Sequence, residues 1–425
     1  MEFKKSLYLL PIFIFLVIFI GCGIAFGDFY AVPAIVAFLI ALVVAFIQNP
    51  EKSFEKKMKI VASEVGNDNI ITMCFIFLAA GAFSASVTAS GGVDSIVNLC
   101  LSFVPSKYAV AGIFIIACIL SLSMGTSMGT IAALTPIAVG ISRQAGLSLP
   151  VCMGATVCGS MFGDNLSVIS DTTIAAVKTQ GCKMNDKFKE NFLIVIPAAI
   201  IAIAIFLFTS NENGVDLKIG DYNIISVLPY VIVLAGALMG FNVFGVLIAG
   251  TVSSLAIGIY TGNIVLNDIF KITGTGVTSM YDITVISITV AALVGLVKHA
   301  GGIDFVLKAI TRHAKTNKGA QFGIAALSLT VDACTANNTV AIVMAGPIAK
   351  EISKKSHISP RRSASLLDIF SSVGQGIIPY GAQLLSAASL SGLTPFDIIP
   401  YMYYPALMAI SAILFIIFRK EKQMQ

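Results

Sequence analysis

One polar pattern is written twice in this chain, inside stretches that otherwise read as apolar helix. The first copy runs Gly91-Gly92-Val93-Asp94, Thr126-Ser127-Met128-Gly129-Thr130, Thr135-Pro136-Ile137-Ala138, Gly163-Asp164-Asn165 and Ser170-Asp171-Thr172-Thr173. The second runs Gly301-Gly302-Ile303-Asp304, Asn337-Asn338-Thr339, Gly346-Pro347-Ile348-Ala349, Gly374-Gln375-Gly376 and Pro379-Tyr380-Gly381-Ala382-Gln383. The offset is 301 − 91 = 210 at the first landmark and 347 − 136 = 211 at the proline. A duplicated block with helix-breaking polar centres predicts two structural repeats that meet at a shared site.

The blocks belong in a membrane. Of the 425 residues 57% are hydrophobic and only 12% charged, against about 25% charged in soluble domains. The mean hydropathy is +0.92. The first apolar run, Leu7 to Gly23, is long and lacks a small-residue cleavage site, so it reads as a retained helix and not a signal peptide. The net charge of +5 does not point to nucleic acid, because Lys and Arg fall in loop clusters. Eight cysteines without paired spacing read as buried apolar residues. The histidines, His299, His313 and His357, form no metal pattern.

About 20 apolar residues span a bilayer. Crossings are expected near 7–25, 29–48, 69–89, 108–124, 126–142, 148–175, 191–209, 223–239, 242–261, 282–298, 319–335, 337–350, 361–388 and 397–418. The short or interrupted ones are equally compatible with re-entrant hairpins. Under this scheme 23 of the 27 Lys and Arg collect on one side, in both termini and the segments 49–68, 176–190, 298–318 and 350–362. Only Lys107, Arg143, Lys218 and Lys271 fall on the other. Cytoplasmic loops are the Lys/Arg-rich ones, so both termini are placed in the cytoplasm of a cell-membrane (inner/plasma membrane) protein. Seven crossings per half, an odd number, give the repeats opposite orientation. The predicted fold is an all-α polytopic membrane protein with two inverted-topology repeats, 1–215 (core 108–175) and 216–425 (core 319–388).

The segments 93–106 and 303–316 carry apolar residues three or four apart. Val93, Ile96, Val97 and Leu101 share one face, as do Ile303, Leu307 and Ile310. They fit either interfacial connectors or arms that link a moving unit to a static scaffold.

Four carboxylates, Asp164, Asp171, Asp332 and Asp368, fall inside apolar stretches. A charge at the bilayer centre costs about 2.5–3.5 kcal/mol on insertion scales, so each is a functional candidate or a helix cap. Asp164 and Asp171 are seven residues apart, about 10 Å on one face of a continuous helix. Unwinding at Gly163-Asp164 is expected to bring them closer to one centre. Thr126, Ser127, Thr130, Asn165, Ser167, Ser170 and Thr173 offer neutral oxygens suited to Na⁺. Burial disfavours the charged form of a carboxylate, so one group can hold H⁺ or Na⁺ but not both. Competition of that kind is the simplest basis for Na⁺/H⁺ exchange, with Asp171 the expected proton-exchanging group.

The second copy replaces anions by amides. Gln375 stands where Asp164 does, and Asp171 falls opposite Ala382-Gln383. Asn337, Asn338, Thr339, Gln375, Tyr380 and Gln383 are expected to form the opposite wall, with Asp332 and Asp368 behind or beside a substrate. Amide carbonyls suit a cation. Helix N-termini near Asn337 and Gln375 equally suit a carboxylate.

These stretches resemble the NhaC-type Na⁺/H⁺ antiporter family, within the broader ion-transporter superfamily. The match runs through Gly125 to Thr130, Gly163 to Thr173, Asn337 to Ile342 and Gln375 to Gln383, and covers roughly 69–400. Val168 follows Ser167 where many relatives carry proline. The resemblance implies an elevator-type transporter, a homodimer, with two re-entrant hairpins. Members look like Na⁺/H⁺ exchangers, and related ones move carboxylates or amino acids. No cofactor is implied beyond Na⁺ as transported or coupling ion.

The leading expectation is therefore a sodium-coupled secondary transporter, a Na⁺/H⁺ antiporter. The alternative is a Na⁺-coupled transporter of an amino acid or small carboxylate. A channel would need a continuous pore with rings of like groups. An intramembrane aspartyl enzyme using Asp171 and Asp332 is a remote reading that no protease-like motif accompanies. There is no nucleotide-binding loop.

Overall fold

The computed structural model describes residues 7–22, 33–48, 52–103, 105–167, 170–209, 221–239, 241–302 and 316–419. These residues are helical throughout, with no strand among them. The order is α1 Leu10–Leu16, α2 Ala34–Ile47, α3 Phe54–Val65, α4 Asp68–Ala89, α5 Gly92–Phe103, α6 Ala109–Met124, α7 Ser127–Ala145, α8 Leu149–Leu166, α9 Asp171–Gln180 and α10 Met184–Thr209. Then come α11 Ile224–Leu238, α12 Val243–Tyr260, α13 Ile269–Ser279, α14 Tyr281–Ala300, α15 Asn317–Thr335, α16 Asn338–Lys355, α17 Pro360–Ile377, α18 Ala382–Ser391, α19 Pro395–Ile398 and α20 Tyr403–Phe418.

Two series match in backbone state at a constant offset. Helix α6 ends on Gly125 at φ 65°, and α15 ends on Ala336 at φ 49° (336 − 125 = 211). Gly146 after α7 and His357 after α16 are both left-handed, at 62° and 53° (357 − 146 = 211). Gly181 after α9 and Gly392 after α18 repeat this at 74° and 75° (392 − 181 = 211). Helices α8 and α17 both start from an extended serine, Ser148 and Ser359, with proline in the first turn, where its missing N–H costs nothing. Side chains differ between the series, but the places where the chain must turn do not.

Length and apolarity mark Ile70–Ala89, Met184–Thr209, Val243–Tyr260 and Leu266–Ala300 as able to cross a membrane. The pair Pro395–Tyr401 and Tyr403–Phe418, bent by 50°, makes a fifth. Helices α7, α8, α16 and α17 are more polar, and several of their hydroxyls are satisfied by carbonyls one turn back along the chain, as at Thr130, Thr135, Thr156 and Ser160. Gly163 packs on Ser121, and at the matching place Gly374 packs on Asp332, so close that a Cβ on either glycine would collide. The halves also interlock. Helix α9 lies on α16 and α17, and α18 lies on α7. Outside this core, α3 packs on α14 and α13 on α4.

Several expectations are corrected. The regions 148–175 and 361–388 are each two helices, interrupted between Leu166 and Asp171 and between Ile377 and Ala382. Gly163 and Asp164 stay helical. The glycine serves close packing on Ser121, and the chain leaves the helix at Ser167, which is extended (ψ 132°). The segment 49–68 holds helix α3, which packs on α14. Helix α13 lies where no element was expected. The segment 176–190 is mostly helical, and its Lys187 is buried, not a loop charge. Helix α5 spans most of the first amphipathic segment. The second segment falls outside the described residues, apart from Thr316.

Candidate functional site

Four helices begin at one place. The starts of α7, α9, α16 and α18 supply Thr126, Ser127, Ser170, Asp171, Asn337, Asn338, Thr339, Ala382 and Gln383 to the wall of one open cavity of about 390 Å³. Asp164 and Gln375, from the last turns of α8 and α17, complete it together with Thr72, Met73 and Asn242. Residues 211 positions apart thus face one another across a single space. Each start follows from a local break: a left-handed residue and one extended residue before α7 and α16, and extended Ser170 and Gly381 before α9 and α18.

The two sides finish these helix starts differently. Thr126 makes no side-chain cap to α7. Instead the Ser127 N–H donates to Asp164 Oδ1 at 3.1 Å, so a carboxylate from α8 caps α7 and sits at its positive end. In the second series Asn337 caps its own helix, its Oδ1 accepting from the Val340 N–H at 3.0 Å. Gln375, the counterpart of Asp164, donates through Nε2 to Asp332 Oδ1 at 3.0 Å. Gln383 donates through Nε2 to Ser127 Oγ at 3.2 Å and ties the two series together.

Those bonds leave a pattern of unused acceptors. Gln375 Oε1 and Gln383 Oε1 are buried oxygens without a hydrogen-bond partner, and both residues line the cavity. A buried acceptor without a donor costs roughly 1–3 kcal/mol. Asp164, Asp171 and the hydroxyl residues Thr126, Ser127 and Ser170 on the same wall are oxygen donors of the kind that suits a hard cation, Na⁺ among them. Asp164 is 4% exposed, whereas Asp171 is exposed to the cavity. They are an inner and an outer carboxylate of one space.

Of the remaining expected site residues, Thr130, Asn165, Ser167, Thr173, Asp332 and Tyr380 do not line this cavity. Thr130 donates to the Thr126 carbonyl at 3.0 Å, and Ser167 to the Leu122 carbonyl at 2.8 Å. Asn165 is buried and donates to the Met161 carbonyl at 2.9 Å. Thr173 and Thr172 donate to the Asp164 carbonyl at 3.2 and 2.9 Å, and Ser170 pairs with Thr172 at 2.9 Å. These hydroxyls bind the broken segment back onto the helix that carries Asp164. Asp332 is buried behind Gln375, and its Oδ2 has no partner. Tyr380 donates to the Ala333 carbonyl at 2.8 Å and faces a separate vestibule.

Asp368 does not reach the cavity. It is fully buried and pairs with Lys187 at 2.7 Å, with Asn191 donating to the same Oδ2 at 2.8 Å. Lys187 and Asn191 were not foreseen. Their one signal is a lysine and an asparagine four residues apart, on one helical face at the head of an apolar run.

The vestibule, about 140 Å³, shares Met73, Asn337, Thr339 and Ala382 with the cavity. Its walls are mainly apolar, among them Ile70, Ile286, Val290, Val294 and Val343. Glu64 and Lys298 also line it and form an ion pair at 3.0 Å.

Apolar helices interrupted at polar breaks, with a charged cavity where the breaks meet, define a multi-pass membrane transporter. The chain belongs to the Na⁺/H⁺ antiporter family, whose profile matches residues 3–210 and 220–420. It is similar to the Na⁺/H⁺ antiporter NhaC of Alkalihalophilus pseudofirmus, 23% identical over 374 residues, covering 80% of each chain. It is equally similar to the malate-2H⁺/Na⁺-lactate antiporter of Bacillus subtilis, 23% over 433 residues, covering 93% of this chain and 91% of that one. The arginine/ornithine antiporter ArcD of Halobacterium salinarum matches at 23% over 353 residues, 75% of this chain and 73% of that one. These relatives are transporters, not enzymes.

Proposed function

We propose that the protein exchanges Na⁺ for H⁺ by competition at Asp164 and Asp171, in a cavity formed where two inverted repeats, 1–215 and 216–425, meet. The observation that carries this reading is the single cavity itself. It holds the two carboxylates of the first series beside Gln375 and Gln383 of the second, whose side-chain oxygens are buried without partners. Thr126, Ser127 and Ser170 add neutral oxygens on its wall.

The electrostatics favour competition. A helix N-terminus carries about half a positive charge, so four of them sum to roughly two. Two ionised aspartates balance that field. When the aspartates are protonated, the remaining field is positive and repels Na⁺. Sodium therefore enters as protons leave, and the reverse.

The repeat cores, 108–175 and 319–388, would move as one body against a scaffold, as in an elevator, within a homodimer whose termini are cytoplasmic. The matched turn states at a 211-residue offset and the apolar vestibule between α4, α14 and α16 support that arrangement.

A second reading is a Na⁺-coupled carrier of a small carboxylate or amino acid. The convergence of helix starts favours it, because N–H groups at a helix N-terminus bind carboxylates. The names of two relatives, a malate/lactate and an arginine/ornithine antiporter, point the same way.

Proteoliposomes with a pH-sensitive dye inside and clamped voltage separate the two. Proton efflux driven by a Na⁺ pulse alone, lost in Asp171→Asn, supports the antiporter. No proton movement, with Na⁺-driven accumulation of one labelled solute from a mixture of amino acids and carboxylates, supports the carrier instead.

A further inference from the structure

Lys187 lies outside the cavity and has no exposed surface. An ammonium has three N–H donors, and all three are used. They reach Asp368 Oδ2 at 2.7 Å, the Asn165 carbonyl at 2.9 Å and Thr173 Oγ1 at 2.6 Å. One turn further along α10, Asn191 Nδ2 donates to the Asn165 carbonyl and to Asp368 Oδ2, both at 2.8 Å.

Each contact has a consequence. The Asn165 carbonyl is in the last turn of α8, where carbonyls lack an intrahelical partner. Within a bilayer water cannot replace that partner, and a cation also matches the negative end of the helix. Thr173 accepts from Lys187, so its own hydrogen is directed elsewhere, onto the Asp164 carbonyl at 3.2 Å. The charge of Asp368, on α17 in the second series, is cancelled by a group of the protein itself.

We propose that Lys187 is a positioning residue for the exchange. It is a built-in counter-ion that withdraws Asp368 from the exchangeable carboxylates and locks the α8–α9 break, with Asp164 on one side and Asp171 on the other. The inference rests on the reading of those two aspartates as the exchange site. It also joins the broken element of the first series to α17, so the two repeat cores are tied through α10.

The test uses Lys187→Met, Asp368→Asn and the double variant, beside wild type and Asp171→Asn. Thermal melting is read in detergent, and Na⁺ dependence and Na⁺:H⁺ ratio are read in proteoliposomes. Lys187→Met should melt lower than wild type and lose flux by more than about tenfold, because one buried charge is left uncompensated. With both charges gone, the double variant should recover most of the melting temperature and keep the wild-type ratio. Its half-saturating Na⁺ should stay raised, roughly three- to tenfold, because Thr173 still lacks its donor and the Asn165 carbonyl keeps only that of Asn191.

A changed ratio in the double variant would mean that Asp368 exchanges a proton or cation, and would overturn the proposal. Wild-type Na⁺ dependence in the double variant would leave Lys187 no positioning role, and would overturn it too. Melting needs no transport. If wild type itself moves no protons the antiporter reading falls alone, and a double variant that melts no higher than Lys187→Met would separately overturn the pairing.

Discussion

Asp164 and Gln375 stand at equivalent places, 375 − 164 = 211 residues apart, and face in opposite chemical senses. Asp164 accepts, taking the Ser127 N–H at 3.1 Å and capping a helix of its own series. Gln375 donates, giving its amide to buried Asp332 at 3.0 Å, and its carbonyl Oε1 is buried without a partner. The cavity wall thus carries an aspartate from one series and an amide from the other.

The two carboxylates should be separable. Asp171→Asn and Asp164→Asn should each reduce Na⁺-driven proton flux by about ten- to a hundredfold, the loss expected for one charged ligand. Asp164→Asn should also lower the melting temperature, because it weakens the cap on α7. Asp171→Asn, exposed to the cavity, should leave it unchanged. Flux assays paired with melting in detergent check both. Wild-type sodium dependence in Asp171→Asn would remove it from the site.

Competition has a kinetic signature. Lowering the pH on the side of Na⁺ entry should raise the half-saturating Na⁺ concentration while leaving the maximal rate at saturating Na⁺ unchanged. A titration of Na⁺ at several pH values reads this directly. A fall in maximal rate with constant half-saturation would place H⁺ and Na⁺ on different groups.

The unpaired amide oxygens predict a graded effect. Gln383→Leu removes an amide from the cavity wall and the bond to Ser127, so half-saturating Na⁺ should rise by roughly threefold to tenfold. Isotope uptake at varied Na⁺ tests it.

The matched turns predict opposite signs for opposite substitutions. Ala336 holds a left-handed conformation that costs an L-residue roughly 1–2 kcal/mol, so Ala336→Gly should be neutral or stabilising. Gly125→Ala, at the same place in the first series, should destabilise by a similar amount. Gly163→Ala should destabilise by about 1–3 kcal/mol through overpacking on Ser121, whereas Gly112→Ala meets nothing within 4 Å and should be silent. Melting temperatures of the four variants decide this.

Much of the site was legible in the sequence because polar groups in an apolar stretch are conspicuous. Asp164, Asp171, Asn337, Asn338 and Gln383 stand out at first reading, and all line the one cavity. Misplacements arose where local pattern underdetermines geometry. A glycine beside an aspartate reads as a place to unwind, yet Gly163 is there to let α8 approach Ser121. Asp368 reads like Asp164, but only its neighbours show that a lysine already neutralises it.

Reading along the chain is enough for the class of the molecule, the repeated polar pattern with its offset of 210 to 211 residues, the approximate positions of the breaks and most of the side chains at the cavity. These follow from composition and spacing, which are properties along the chain. Only the tertiary structure decided which carboxylates share a space and which are sealed. Lys187, counted along the chain as one more loop charge, is 181 residues from the aspartate it neutralises (368 − 187 = 181). Whether a lysine meets water or a buried carboxylate depends on how helices far apart in the chain pack together, and no local pattern carries that information.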